Sequence, residues 1–387
     1  MLINQTYMEG FLITHKCMGD IAALELKELI GKGSKIFDSG IDFEIVSYGD
    51  LFKLCYMAQS AIGVYYLLHK FDFNDILEDF SKNIQNIDFS EWLSPDTQFR
   101  VKCIKGHDND TPTQEIEEKL GEIIIDYIQK KYRYKQKVNL NNPEIIISFY
   151  LSPKKCYVGI DFAGFDLSKR PYKLFSDPSA VKGTIGYALV RLSGYNKNET
   201  LLDCFSGSGV VSIEAALFAS GFPVNFYYKE KFIFLKFHRF NDYNFNKLFK
   251  KIDKVILDNK LKIHSIDISM KYVNYARKNS KIAGIDKIIN FSRADLEWLD
   301  TKFEKGKIDK IVTKLPSSQK NEASTAENIY NSFFYQAEFI LNDNGKIALI
   351  GDKEMVKKYS AKYKFKISAK RSIFSGKKEY EIFILGK

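Results

Sequence analysis

Cysteine and histidine are scarce in this chain, and neither clusters. The five cysteines (Cys17, Cys55, Cys103, Cys156, Cys204) lie far apart and no CxxC pair occurs, which argues against a disulfide framework and a zinc ribbon. The five histidines are equally scattered, so no metal is expected. No apolar run approaches the roughly 18 residues of a membrane span. The opening MLINQTYMEG lacks both a basic n-region and a long apolar h-region, so no secretory signal is expected. A reducing cytoplasm is the default compartment, with no membrane partner. Repeats and low-complexity tracts are missing too. Acids are in deficit: 48 Asp and Glu face 58 Lys and Arg, giving a formal net charge of +10 and a pI near 9.0. Such an excess favours phosphate-rich partners through counterion release and steering. A solvated Lys-rich surface would carry the same charge, and charge alone leaves both readings open.

What remains is an ordinary globular composition, 45% hydrophobic and 27% charged, in a chain of 387 residues, long enough for two or three domains. The first half mixes strand and helix signals. FLITH (Phe11 to His15) reads as a strand, and DIAALELKELI as a helix capped by Asp20. FEIVS reads as a strand and Asp50 to His69 as helical in period. FRVKCIK alternates, Thr111-Pro112-Thr113 opens a helix, and EIIISFYLS and KCYVGIDFAG read as two strands. Residues 165–183 are irregular and polar, with Pro171 and Pro178, and read as a linker. From Thr184 onward strands and helices alternate strictly up to a closing hairpin, FKISAKRSIF with EYEIFILGK. That pattern predicts a doubly wound, mostly parallel sheet with an antiparallel C-terminal hairpin.

Chemistry concentrates at three strand ends. Asp203-Cys204-Phe205-Ser206-Gly207-Ser208-Gly209 closes a buried strand and opens the helix from Val210. Gly207 and Gly209 permit a sharp turn and close ligand approach, and the helix start is expected to offer free N–H groups. The competing reading is a tight turn that uses glycine for structure alone. Asp267, ending the next strand before Ile268, is placed to accept ribose hydroxyls, or else to cap the following helix. Asp295, before Leu296, can accept an adenine amino group or start a turn. All three features lie at carboxyl ends of successive strands, where such sheets bind ligands.

On these motifs the chain resembles the THUMP-domain N2-guanine RNA methyltransferases. Asp166-Leu167-Ser168-Lys169-Arg170-Pro171-Tyr172 resembles the family signature L-x-K-R-G-Y-R. Asp203 to Gly209 resembles D-P-x-x-G-S-G, with Cys204 at the proline. Ile266-Asp267 through Ala283-Gly284 resembles G-x-D-x-S…A-R-x-N-x-x-x-A-G. The resemblance implies an α/β fold: a Rossmann-like methyltransferase domain preceded by an α+β ferredoxin-like and THUMP region. The expected domains are residues 1–60 (ferredoxin-like), 61–164 (THUMP-like), the linker 165–183 and the methyltransferase domain 184–387. It also implies S-adenosylmethionine as cofactor. Asp203 and Phe205, Ser206, Gly207, Ser208 and Gly209 would cradle its methionine part, Asp267 with Ile268 the ribose, and Asp295 with Leu296 the adenine. An RNA partner is implied, usually the acceptor end of tRNA, with the protein acting as a monomer. A basic, aromatic insert agrees: Lys231 to Lys262 holds nine Lys or Arg against three Asp, interleaved with Phe232, Phe234, Phe237, Phe240, Tyr243 and Phe245. Its rings either stack on unpaired bases or form the buried side of an amphipathic helix.

One position departs from the family. The catalytic motif N/D-P-P-Y/F falls on Lys314-Leu315-Pro316-Ser317, where only Pro316 keeps the pattern. The leading expectation is therefore an RNA methyltransferase, with tRNA guanine N2 as target. The competing class is a catalytically impaired RNA-binding relative that retains the fold, and a third reading is methylation of another RNA atom.

Overall fold

A computed structural model describes residues 8–106, 112–255, 261–316 and 323–387. The chain forms two compact units. The first comprises residues up to Thr14, Ala22–Leu167 and Tyr228–Lys251; the second comprises His15–Ile21, Ser168–Tyr227 and Ile252–Lys387. These units cut across the boundaries expected from the sequence, because the insert at Tyr228–Lys251 belongs to the first.

The first unit carries one eight-stranded sheet. Its strands are β1 (Met8–Ile13), β2 (Ser34–Phe37), β3 (Gly40–Ile45), β4 (Gly63–Asp72), β5 (Gln98–Lys105), β6 (Lys137–Val138), β7 (Ile145–Leu151) and β8 (Lys155–Asp161), in spatial order β2-β3-β1-β4-β8-β7-β5-β6. Helices α1 (Gly19–Ile30), α2 (Tyr48–Met57), α3 (Ile76–Asn83) and α4 (Thr113–Tyr132) complete the first part of the chain. Elements β1 to β4 follow the β-α-β-β-α-β order of a ferredoxin-like unit. Its closing strand β4 corrects the helix expected over Asp50 to His69. That helix stops at Met57 after a Ser47–Asp50 capping box. The segment from Gly63 is a strand because Val64-Tyr65-Tyr66 favours extended backbone, and a side chain at Gly63 would meet the Tyr65 hydroxyl at 2.1 Å. Asp20 does not act as the expected cap either; it lies in the first turn of α1 and pairs with Arg371. Thr111 lies outside the described residues, and Pro112 precedes α4 with no side-chain cap bond.

The second unit alternates strands and helices, with α9 and α11 beyond the expected elements: α5 (Gly183–Leu192), β9 (Thr200–Asp203), α6 (Val210–Ser220), then, after the insert with its helix α7 (Phe245–Asp253), β10 (Lys262–Asp267), α8 (Met270–Ala283), β11 (Ile289–Arg293), α9 (Leu299–Lys302), β12 (Ile308–Lys314), α10 (Ala323–Ile340), β13 (Leu341–Ile350), α11 (Lys353–Lys362), β14 (Lys366–Ser375) and β15 (Lys378–Gly386). The sheet order is β11-β10-β9-β12-β13-β15-β14. The first five strands run parallel, and β15 is antiparallel to both neighbours. Helices cover both faces. One core includes Ile185, Leu201, Ile213 and Ile263, the other Leu202, Ile266, Phe334 and Leu349. Among the described residues no helix is long and apolar enough to cross a membrane.

Candidate active site

Strand order reverses between β9 and β12, and the crevice at such a switch point is where open α/β sheets take ligands. A cleft of about 230 Å³ lies there. Its wall includes Cys204 and Phe205 after β9, Asp267 and Ile268 at the end of β10, Asp295 and Leu296 after β11, and Thr325, Asn328, Ile329 and Ser332 of α10. The structure thus brings together Phe205, Asp267, Ile268, Asp295 and Leu296 from three separate strand ends. Asp203 and the loop Ser206 to Gly209 are not on that wall.

The loop has its own logic. Gly207 and Gly209 have φ of +50° and +84°. A side chain at Gly207 would press on Asp177 Oδ2 at 2.7 Å, and one at Gly209 on Ala276 of α8 at 2.7 Å. The N–H groups of the loop that precedes the helix start are already donated. Phe205 N–H goes to Thr313 Oγ1 (3.2 Å), Ser206 to the Ile266 carbonyl (3.0 Å) and Gly207 to Asp267 Oδ2 (2.9 Å). Ser208 N–H goes to Asp177 Oδ2 (2.9 Å) and Gly209 to the Ser206 carbonyl (2.7 Å). Buried backbone donors must find acceptors, and two carboxylates reach these ones from inside the fold. The loop retains a hydroxyl: Ser206 Oγ is buried and has no hydrogen-bond partner among the described residues.

Asp203 lies behind the loop, off the cleft wall. It is 1% exposed and accepts from Thr313 Oγ1 (2.8 Å) and Ser212 Oγ (3.2 Å), tying β9 to β12 and α6. Burial pushes its carboxyl up to about 7. Asp267 stands differently. Its oxygens accept from Gly207 N–H and from Ser269 N–H (2.8 Å), yet a carboxylate has about four acceptor sites, so it can still accept from the cleft. Burial raises its pKa despite these two bonds. Asp295 accepts from Glu297 N–H (3.2 Å), so it caps the short turn Leu296–Trp298 and lines the cleft at once.

Two residues to which the sequence assigns no role fix the loop, although Asn279 is the N of the A-R-x-N-x-x-x-A-G run. Asp177 holds Ser208, and the buried Asn279 of α8 donates to the carbonyls of Ser208 (2.9 Å) and Phe175 (2.7 Å). An Asn on the buried face of a helix, beside Val273, Ala276 and Ala283, was the available signal. The supposed linker is bound down as well. Arg170 grips Glu214 of α6 through Nε (2.7 Å) and Nη2 (3.1 Å), and the Tyr172 hydroxyl donates to the same carboxylate (2.7 Å). Both charged side chains are fully buried.

Where the resemblance leads one to expect the catalytic motif, Lys314 ends β12 and donates through Nζ to the Ser179 carbonyl. Leu315 is core, with its N–H on the Ile350 carbonyl (2.9 Å). The Pro316 carbonyl accepts from the Tyr330 hydroxyl (3.1 Å), and Ser317 lies outside the described residues. None of Lys314, Leu315 and Pro316 lines the cleft. In the insert, Phe232, Phe234, Phe237 and Phe240 are buried within the first unit, which corrects the base-stacking reading for those four rings. Phe234 packs 4.6 Å from Phe52, Phe237 5.7 Å from Trp92 and Phe240 5.1 Å from Tyr48. Arg239 pairs with Glu91 (3.2 Å) and lies over Trp92, whereas Lys247, Lys250 and Lys251 of α7 are exposed.

This fold and cleft define a methyltransferase of the Rossmann-like class. Residues 170–378 match the family described as RMKL-like, methyltransferase domain, and residues 75–161 match the THUMP domain. The match takes in more than half of the chain, which belongs to the RMKL-like methyltransferase domain family. The chain is 28% identical, over 93% of its length and 93% of the relative's, to a tRNA (guanine(6)-N2)-methyltransferase of Methanocaldococcus jannaschii. It is 25% identical to a protein of the same name from Archaeoglobus fulgidus, over 71% of this chain and 65% of that one. The fold is also that of SMU.472, solved in complex with S-adenosylhomocysteine, with a TM-score of 0.82 over 98% of each chain at 18% identity.

Proposed function

We propose that the chain is an S-adenosylmethionine-dependent RNA methyltransferase acting on tRNA at a guanine N2. The observation that carries this reading is the cleft that gathers Phe205, Asp267, Ile268, Asp295 and Leu296 at the switch point. The donor set fits the cofactor. Asp267 keeps acceptor capacity for ribose hydroxyls, and Asp295 can accept from the adenine amine. Ile268, 58% exposed, offers an apolar flank to the base. Ser206 brings its unpartnered hydroxyl to the loop that would hold the methionine end, a loop shaped by Gly207, Ser208 and Gly209. When bound, S-adenosylmethionine supplies an electrophilic methyl group on a sulfonium. The protein's own part is orientation and water exclusion more than proton transfer. The names of the two archaeal relatives support tRNA guanine N2 as the target, and the match at residues 75–161 supports RNA binding. The reading carries with it a cytoplasmic monomer that engages the acceptor end of tRNA and needs no metal.

Lys314 favours a second reading, a catalytically impaired RNA-binding relative. A guanine amine transfers best when an oxygen accepts its hydrogens, and a lysine side chain has no acceptor to offer. Incubation with transcript tRNA and S-adenosylmethionine, followed by mass spectrometry of the nucleosides, separates the two. N2-methylguanosine above the enzyme-free control supports the first reading. Binding of tRNA and S-adenosylhomocysteine without product supports the second, and absence of both kinds of binding sinks both.

A further inference from the structure

We infer that Lys314 is a positioning residue for the cofactor loop: it fastens the strap at residues 177–179, and the strap fixes the glycine loop in its receiving shape. The inference rests on the reading above, in which that loop takes S-adenosylmethionine.

A continuous path of hydrogen bonds carries it. Lys314 Nζ donates to the Ser179 carbonyl. Ser179 in turn donates twice to Asp177 Oδ1, from its N–H (2.9 Å) and its Oγ (2.5 Å). The other oxygen of Asp177 accepts the Ser208 N–H (2.9 Å), and Asn279 closes the arrangement by holding Ser208 and Phe175 together. Four bonds therefore link the end of β12, where the family keeps its catalytic motif, to the loop after β9. The strap has a second attachment of the same kind, since Lys173 Nζ donates to the Val181 carbonyl (2.8 Å). Two lysines thus hold backbone carbonyls two residues apart, at the C-terminal end of the strap and just beyond it.

The chemistry suits the task. An ammonium donating to a carbonyl makes a charge-assisted bond, and lysine has a long, adaptable stem. Asp177 is buried, which by itself raises its pKa, but the hydrogen bonds from Ser179 and Ser208 outweigh burial and hold the carboxyl below its usual value. It is therefore an ionised acceptor for both of its partners. Its place is tight: any side chain at Gly207 would strike it. A displaced strap therefore moves the acceptor on which the loop backbone is hung. Lys314 has on this account exchanged the family's part in holding a base for a part in holding the cofactor's seat.

The test is calorimetric titration of S-adenosylhomocysteine into the full chain. Lys314→Met should weaken binding about three- to tenfold, the range for one net hydrogen bond, while Lys314→Arg retains wild-type affinity. Asp177→Asn should weaken binding as well, and the double variant Asp177→Asn/Lys314→Met should be less than additive, because both act on one path. Where turnover is measurable, KM for S-adenosylmethionine should rise in Lys314→Met and kcat should hold. Equal affinity in wild type and Lys314→Met overturns the inference and leaves the cofactor reading intact. Failure of arginine to rescue, or full additivity with Asp177→Asn, also overturns it. Wild type that does not bind S-adenosylhomocysteine removes the cofactor reading and the inference with it. Should Lys314→Met not fold, Asp177→Asn and Lys314→Arg carry the same decision.

Discussion

The aromatic insert of the first unit and the glycine loop of the second pose one question, whether suggestive residues serve a ligand or the fold. In the insert, four phenylalanines are buried, three of them against Phe52, Trp92 and Tyr48 and Phe232 against Phe165, and its Arg239 is paired with Glu91. Burial of rings is non-directional and collects whatever apolar surface is near. In the glycine loop the same decision rests on directional bonds: every backbone N–H from Phe205 to Gly209 has a named acceptor. The insert uses its aromatic residues as core, while the loop uses its polar ones as a frame and still adjoins a cleft. Residue type alone therefore does not separate ligand from fold; the partners already present do.

The largest effect expected on either side comes from the insert. Phe234 is fully buried, stacked 4.9 Å from Phe232 and packed 5.4 Å from Phe245. Phe234→Ala should lower stability by about 3–5 kcal/mol, the usual cost of emptying a buried aromatic site, measured by urea denaturation. Affinity of the folded variant for S-adenosylhomocysteine should not change. A stable variant that loses tRNA affinity instead would return the ring to a stacking role.

On the loop side, Asp203 should make stability depend on pH. Its buried carboxyl titrates at about 7 against an ordinary value of 3.8. Between those values the native state holds a proton that the unfolded chain has released, so stability falls as pH rises from about 4 through 7. The loss is at most about 4 kcal/mol, from the size of the shift. Asp203→Asn keeps a group that can bond Thr313 and Ser212 and removes the titration. Melting temperatures should therefore converge with wild type near pH 4 and exceed it near pH 8. Parallel pH profiles for the two proteins would show that Asp203 is ionised throughout.

Much of the second unit was legible, because β9 to β13 alternate with helices whose apolar spacing is unambiguous and whose turns carry glycine. The first unit was harder. AIGVYYLLH, residues 61–69, satisfies helical and strand spacing alike, and the β-favouring Val64-Tyr65-Tyr66 together with pairing to β1 and β8 decides for a strand. Helix α11 was missed because KEMVKKYSAK buries little beyond Val356, Tyr359 and Ser360. In the site, the strand-end acids were readable as a set, but their partners were not. Ser208 meets Asp177 from 31 residues away, Gly207 meets Asp267 from 60, and Phe205 meets Thr313 from 108. No local pattern carries contacts of that range, which is why the bond that Thr313 donates to Asp203 is not readable from the motif around Asp203.

Asp267 probes the loop where frame and cleft share one residue. Asp267→Ala removes the acceptor of Gly207 N–H as well as the proposed ribose contact. Bonds to a charged acceptor are worth about 1.5–3 kcal/mol each, so S-adenosylhomocysteine affinity should fall at least tenfold by calorimetry. Unchanged affinity would take Asp267 out of the cofactor site and leave it a purely structural tie.

The smallest expected effect returns to the insert, on the face that its buried rings leave outside. Lys247 and Lys250 of α7 are exposed while Phe249 of the same helix is buried, so the helix is amphipathic with a basic outer side. Replacing both lysines by alanine removes no core contact and should leave stability within about 0.5 kcal/mol. If this face tracks RNA phosphates, each lost contact reduces the slope of log affinity against log salt by roughly 0.7 for a single strand and 0.9 for a duplex. The double variant should then bind tRNA with a slope shallower by about 1.4 to 1.8 when both lysines touch phosphate, and with affinities that approach wild type at high salt. Fluorescence titrations at four or five salt concentrations measure it directly. An unchanged slope would mean that the lysines only solvate the helix, and the RNA reading of the insert would then lose its basic face as it has already lost four of its rings.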